Sequence, residues 1–371
     1  MTAWDRARAL DRLERLVSTE SPSGDPDRLD EVYALVAEWG TQAVGRAPER
    51  VVHQGVPHLV WRSDGPARVL LVCHADTVFP VGTIARRPFR VEDGIAYGPG
   101  VFDMKAGIVI ALDALERIND TDGVSWVVTG DEETGSLTSR ALIEELARSA
   151  AAALVLEPSL DGALKVGRKG GAFYEISFHG LAAHAGLEPE RGRNALLALA
   201  RWALLVTDLA DLPRGTTVTP TRAASGTATN VVPDHGALFV DVRASSTAEL
   251  LRVDRELRAL AQSGSGVDDG VGITVDGGVN RPPLEAESAA GLVALCRAEA
   301  SRLGQPEPAA ALVGGGSDGN FTAALGVPTL DGLGATGHGA HAEHEWVEVE
   351  SMSARADLVA AMLESLTRSG P

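Results

Sequence analysis

The run Val69-Leu70-Leu71-Val72-Cys73 constrains this chain more than any other stretch. Consecutive apolar residues without polar alternation read as a strand buried on both faces, the kind found in parallel sheets covered by helices. The run closes on His74-Ala75-Asp76. In an open α/β sheet, ligands bind outside the carboxyl ends of the strands, so His74 and Asp76 fall where chemistry is expected. Two residues apart on extended backbone, they point the same way, and one can ligate a metal while the other orients a ligand. Two further apolar runs repeat the pattern. Val124-Ser125-Trp126-Val127-Val128 leads into Gly130-Asp131-Glu132-Glu133, and Ala153-Leu154-Val155-Leu156 leads into Glu157-Pro158. Helical spacing fills the intervals, from Met104 to Arg117 and from about Leu137 to Ala147. Strands that alternate with helices and stop at an acid or a His specify an α/β domain with a parallel sheet and a site at the strand ends.

The pattern changes near Gly170. Tyr174, Ile176 and Phe178 alternate with Glu175, Ser177 and His179, which predicts a half-exposed strand of antiparallel type. A helix over about Asn194 to Leu209, strands at Thr216 to Ala223 and Ala237 to Val242, a helix over about Thr247 to Gln262 and a strand at Gly272 to Asp276 follow. That order, β-α-β-β-α-β, is the ferredoxin-like unit. Pro282-Pro283 marks the return to the first domain. A helix over about Ala289 to Leu303, the Gly-rich loop Gly314 to Gly319, a short strand near Thr329 and a helix from Met352 complete it. The expected division is residues 1–170 with 281–371, and an inserted domain at 171–280. The segment Thr77 to Gly94, with Pro80 and Pro88, reads as loop.

A chain of 371 residues suits two domains. A formal charge of −18 argues against nucleic acid and against anionic membrane surfaces as partners. Two cysteines, Cys73 and Cys296, give no disulfide framework. Charges run through the N-terminal helical pattern, and no stretch is long and apolar enough to span a bilayer, so a soluble, cytoplasmic protein is expected.

Five positions stand at strand ends or Gly-rich turns: His74, Asp103, Glu133, Glu157 and His341. A mixture of imidazole and carboxylate suits zinc or a similar divalent ion, and an aspartate shared by two ions would make a two-metal hydrolase centre. Glu132, beside Glu133, could serve as a general base. Each residue also has a plain alternative. Asp103 could cap a helix, Glu132-Glu133 could be a solvated turn, Glu157 a surface acid, and His341 one of several solvated loop histidines.

The motifs taken together narrow the choice. His74-Ala75-Asp76-Thr77-Val78, Gly98-Pro99-Gly100-Val101-Phe102-Asp103-Met104-Lys105, Asp131-Glu132-Glu133-Thr134-Gly135-Ser136 and Leu156-Glu157-Pro158 resemble the M20 family of metallopeptidases. Within it the chain is most similar to the glutamate carboxypeptidase group of carboxypeptidase G type. Ala183-His184-Ala185-Gly186, Asn230-Val231-Val232-Pro233, Arg281-Pro282, Gly314-Gly315-Gly316-Ser317-Asp318 and the segment from Gly339 through His341 to Glu345 extend the resemblance over nearly the whole chain. It implies a zinc-peptidase-like catalytic domain with a mixed, largely parallel sheet and an inserted lid and dimerisation domain. It implies two zinc ions per chain, with cobalt or manganese as substitutes. His74 and Glu157 would bind one ion, Glu133 and His341 the other, and Asp103 would bridge them. Glu132 would be the base, Asp76 would hold the His74 imidazole, and Glu345 would be the acid that follows the last histidine. His184 would polarise the scissile carbonyl in the partner subunit of a homodimer. Asn230 and Arg281, with the Gly315 and Gly316 backbone nearby, would hold a small-molecule substrate's free carboxylate. The implied activity is that of a carboxypeptidase that releases a C-terminal amino acid, with an N-acyl amino acid deacylase as the alternative. A non-catalytic relative would be expected to have lost Glu132 or a ligand, and all are present.

Overall fold

The strand Val69–His74 is buried along its whole length. Parallel strands flank it on both sides, Val124–Thr129 on one and Ala152–Val155 on the other. Register aligns Val72 with Val127 and with Val155, and His74 with Thr129. The carboxyl ends of all three strands therefore meet at one edge of the sheet, which brings His74, the turn after Thr129 and Glu157 to the same place. Thr329–Leu330 extends the sheet in parallel beside Ala152–Val155. Val56–Trp61 and Glu49–His53 extend the other side as an antiparallel hairpin. The result is a six-stranded, mixed and mostly parallel sheet.

This computed structural model describes residues 4–267 and 270–368. Residues 1–3, 268–269 and 369–371, which fall within the expected domain ranges, lie outside the described residues. The chain divides into two units. The first holds Met1–Gly167, Leu284–Val313 and Ser317–Pro371, and the second holds Arg168–Pro283 and Gly314–Gly316.

In the first unit, the helix Ala106–Arg117 is buried at every position from Ala106 to Leu115. A helix apolar all round must be covered all round. It packs against the sheet and against the helices Arg6–Ser18, Pro26–Val44 and Val349–Arg368. Its one buried acid, Asp113, accepts from Trp4 Nε1 at 3.0 Å and from Arg12 Nη1 at 3.4 Å.

The expected helix start at Met104 is two residues early. Val101–Lys105 forms a wide turn closed by Lys105 N to Gly100 O at 3.0 Å, with Asp103 and Met104 outside helical angles. The helix expected from Leu137 begins at Arg140, because Asp131 Oδ2 accepts from Thr138 N at 2.6 Å and from its hydroxyl at 2.8 Å and holds the preceding turn. The segment Thr77 to Gly94 is not all loop. Arg90–Glu92 pairs with Ile95–Tyr97, and Trp346–Glu348 and Gly337–His338 complete a second four-stranded sheet. Strands of two or three residues carry too little periodicity to be seen without their partners.

The second unit is an antiparallel sheet ordered Thr217–Ser225, His235–Ala244, Gly170–His179, Gly272–Arg281. The helices Ala195–Leu205 and Thr247–Ser263 pack on it. Tyr174, Ile176, Phe178, Leu238 and Val240 face Trp202, Val253 and Leu257 in one core. Chain order is β-α-β-β-α-β, with the first and fourth strands adjacent. The fourth strand was expected to stop at Asp276 and runs on to Arg281. Gly277 allows this, since its φ is +93° and a Cβ there would lie 2.1 Å from Phe173 O.

Gly107 is a point of close approach between the central helix and the backbone that leaves the strand Ala152–Val155. A Cβ at Gly107 would lie 2.2 Å from Leu156 O, backbone that adjoins Glu157. Gly107→Ala is therefore expected to lower stability by about 1–3 kcal/mol, read as a fall in the denaturant midpoint. An unchanged midpoint would mean that the end of this strand moves freely.

Candidate metal centre

At the aligned strand ends the first unit gathers two imidazoles and three carboxylates. His74 Nε2 stands 3.3 Å from Asp103 Oδ1 and 3.4 Å from Glu157 Oε1. His341 Nε2 stands 3.3 Å from Asp103 Oδ2 and 2.9 Å from Glu133 Oε2. Asp103 thus turns one oxygen to each His–carboxylate pair. Two ligand sets with a common member result, His74–Asp103–Glu157 and Asp103–Glu133–His341. Donors around a tetrahedral ion at about 2.0–2.1 Å lie roughly 3.3 Å apart, so these spacings and donor types fit zinc-like ions in both sets.

The electrostatics agree with that fit. Burial works against a charged His74, yet hydrogen bonding to Asp103, Asp76 and Glu157 raises its pKa well above the ordinary imidazole value. Asp103 and Glu133 likewise lift His341 to about 10. Burial works to raise Asp103, yet the two histidines hold its carboxyl well below the usual range, while burial leaves Glu133 raised. The cluster demands positive charge at two points, which divalent ions would supply.

Tertiary contacts aim each group. His74 Nδ1 lies 3.0 Å from Asp76 O and 3.4 Å from Asp76 Oδ1, which leaves Nε2 toward the carboxylates. The Asp76 carboxylate, fully buried, also accepts from Ser23 Oγ at 2.7 Å and from the backbone N–H of Glu132 and Glu133 at 3.2 Å each. One aspartate therefore fixes both the His74 ring and the turn of the two glutamates. Asp103 is no helix cap. Its backbone N–H and those of Gly100 and Phe102 donate to the Glu345 carboxylate at 2.8–2.9 Å, and the Asp103–Met104 peptide is cis. Burial pushes Glu345 up to about 7 against those three donors. Lys105 Nζ donates to Leu16 O and Thr19 O at 2.8 and 2.9 Å and ties the same turn to the first helix. His341 occupies the left-handed region at φ +63° and has a half-exposed side chain, so the Glu133 side of the centre is the open one.

The remaining sequence-selected residues belong to the second unit. His184 pairs with Val231 on a two-residue ribbon, and Asn230 O accepts from Ala185 N at 2.9 Å. His184 Nδ1 accepts from Gly186 N at 3.1 Å, which leaves Nε2 on the other side of an exposed ring. Arg281 ends its strand, buried, and a Cβ at Gly316 would lie 3.3 Å from Arg281 Cδ. Arg168 Nη1 donates to Gly315 O and Gly316 O at 3.2 Å each. Sequence reasoning missed Ser23 as a support, marked Arg168 only as a cation at the domain junction that would shape substrate choice, and gave no sign of the target of Glu345. Ser23 has no periodic signal, and Glu345 meets its partners across most of the chain.

Comparison with known proteins follows the same lines. Residues 70–365 match the profile of peptidase family M20/M25/M40. Carboxypeptidase G2 of Pseudomonas sp. (strain RS-16) is 30% identical over 368 residues, 95% of this chain and 88% of that one. Succinyl-diaminopimelate desuccinylase of Paracoccus denitrificans is 30% identical over 356 residues, 87% and 90% of the two chains. Among solved structures, the YXEP protein of Bacillus subtilis, described as a dinuclear metal binding peptidase, superposes with a TM-score of 0.69 at 14% identity, over 98% of this chain and 99% of that one.

The Asp76 contacts generate a prediction. Asp76→Ala should weaken divalent-ion affinity about 10–100-fold through loss of ligand orientation, measured by competition with a chromophoric chelator. Affinity within about threefold of wild type would show that His74, Glu132 and Glu133 hold their places without it.

Proposed function

The chain is a hydrolytic enzyme of peptidase family M20/M25/M40, and we propose that it is a two-metal carboxypeptidase that releases a C-terminal amino acid, glutamate first, from an N-acyl or peptidyl substrate. One observation carries the two-metal reading. Asp103 offers Oδ1 to the His74–Glu157 pair and Oδ2 to the Glu133–His341 pair. Zinc ions held there, or cobalt or manganese in their place, would lower the pKa of water toward ~7 and polarise the amide carbonyl. The dinuclear character stated for the Bacillus subtilis relative supports the same reading.

The chain's own residues carry the rest. Glu132, with its N–H held on Asp76 Oδ1, takes the proton of the attacking water and passes it to the leaving nitrogen. His184 offers an Nε2 proton to the carbonyl oxygen as charge builds there, in the partner subunit of a homodimer joined through the second unit. The Arg281 fork takes the substrate's free carboxylate, with the Asn230 side chain as a further donor and the Gly315 and Gly316 backbone beside it. The similarity to carboxypeptidase G2 supports release of a C-terminal residue, and glutamate is taken first from the group that the motifs resemble. The similarity to a desuccinylase supports a second reading, removal of an acyl group such as succinyl from an amino acid. In both, the bond cut is an amide in a substrate that bears a free carboxylate.

A hydrolysis series of N-acyl amino acids and dipeptides, with the leaving residue varied first, separates these readings. Arg281→Ala should raise KM strongly for free-carboxylate substrates and change little for their amides. An equal loss on both would remove Arg281 as the anchor. Faster release of succinate from succinyl amino acids than of glutamate from acyl glutamates would favour the deacylase.

The shared site has its own test. Glu132→Ala and His184→Ala should each leave a nearly inactive homodimer. A mixed dimer holds one site with intact Glu132 that receives an intact His184 from its partner. Co-expression should therefore restore a measurable fraction of turnover. No recovery in mixed dimers verified by mass would place His184 in its own chain's site or outside catalysis.

A further inference from the structure

Arg355, on the helix Val349–Arg368, is 7% exposed. It donates from Nη2 to Gly162 O and makes no ion pair among the described residues. A buried guanidinium without a carboxylate is costly, and replacing it with apolar volume often costs nothing. Its presence therefore calls for a reason beyond stability.

The guanidinium borders a cavity of about 320 Å³ formed within the first unit alone. Thr336 and Ser351 line the cavity beside it. The Ser351 hydroxyl is committed to Glu348 O and to Thr336 N, whereas the Thr336 hydroxyl makes no hydrogen bond among the described residues. Two exposed acids, Asp161 and Glu307, also line the space, and neither is paired among the described residues. Ala163, Ala354 and Leu358 supply apolar wall.

This lining selects its ligand by charge. One buried cation asks for an anion. Two exposed carboxylates repel a dianion such as phosphate and attract an ammonium. A small zwitterion satisfies both demands. The volume holds a small aliphatic amino acid and a few waters, at about 30 Å³ each.

We propose that this cavity binds a free α-amino acid, its carboxylate on Arg355 and the Thr336 hydroxyl and its ammonium toward Asp161 and Glu307. The wall segment Asp161–Ala163 follows closely on Glu157, and Thr336 shortly precedes His341, so an occupant rests against backbone that carries a candidate ligand from each metal set. The chemistry of the site does not depend on the reaction proposed above.

Calorimetric titration of the full-length protein with L-valine, isovalerate and isobutylamine tests the assignment. The second lacks the ammonium group and the third the carboxylate. Saturable valine binding is expected, with isovalerate weaker and isobutylamine silent. Arg355→Met should weaken valine at least about tenfold, while the unliganded protein keeps or raises its unfolding midpoint. Asp161→Asn combined with Glu307→Gln should weaken valine and leave isovalerate unchanged or bound more tightly, a check that survives if Arg355→Met fails to fold. Arg281→Ala should leave the cavity's valine affinity intact. Several results would overturn the proposal: no saturable binding to wild type, equal valine affinity in Arg355→Met, isobutylamine binding as tightly as valine, or binding lost in Arg281→Ala and kept in Arg355→Met.

Discussion

The constraint on which the rest of the first unit depends is the crowding of carboxylates around Asp103. Glu133, Glu157 and Asp103 approach two imidazoles within 2.9–3.4 Å in a largely buried space. The carboxylate oxygens within each set lie within 4.8 Å of one another, where like charges repel, and burial removes the water that would screen them. Such an arrangement persists only where the backbone leaves the side chains no alternative and where cations complete it. The surrounding structure reads as the means of holding groups that would otherwise separate.

Two acids do most of that holding, and neither belongs to a ligand set. Asp76 joins three segments distant in sequence, through Ser23, His74 and the Glu132–Glu133 turn. Glu345 gathers three backbone donors of the turn that presents Asp103, and Lys105 fastens the same turn to the first helix. Each polar group is matched by backbone partners, which is the condition for burying it at tolerable cost. Beneath them, the close approach of Gly107 to Leu156 O lets the central helix support the strand end that carries Glu157.

The second unit follows different physics. Its sheet is antiparallel and carries its helix-packed core on one face, so its strands alternate apolar and polar residues, where the three central strands of the first unit are buried along their whole length. That difference was legible, and the change near Gly170 fell close to Arg168, where the second unit starts. Element ends were less legible. The strand read as ending at Asp276 continues through two glycines, because their fitness for a strand depends on the neighbour Phe173 and not on their own propensity.

The sequence by itself determined the apolar strands, their alternation with helices and the polar residues at their ends. These are local properties, fixed by side-chain period and by the residue types that stop a strand. It also singled out the five side chains of the two candidate ligand sets, because each follows a strand or a Gly-rich turn. Only the tertiary structure decided which of those donors meet. The parallel register that pairs His74 with Thr129 and Val72 with both Val127 and Val155 is a property of three strands together. The short strands of the second sheet exist through their pairing alone. Arg355 is the clearest case. In the sequence it is one basic residue on a C-terminal helix, and only packing removes its counter-charge and opens a cavity beside it. Solvation is settled by the whole fold, so no local pattern could have announced it.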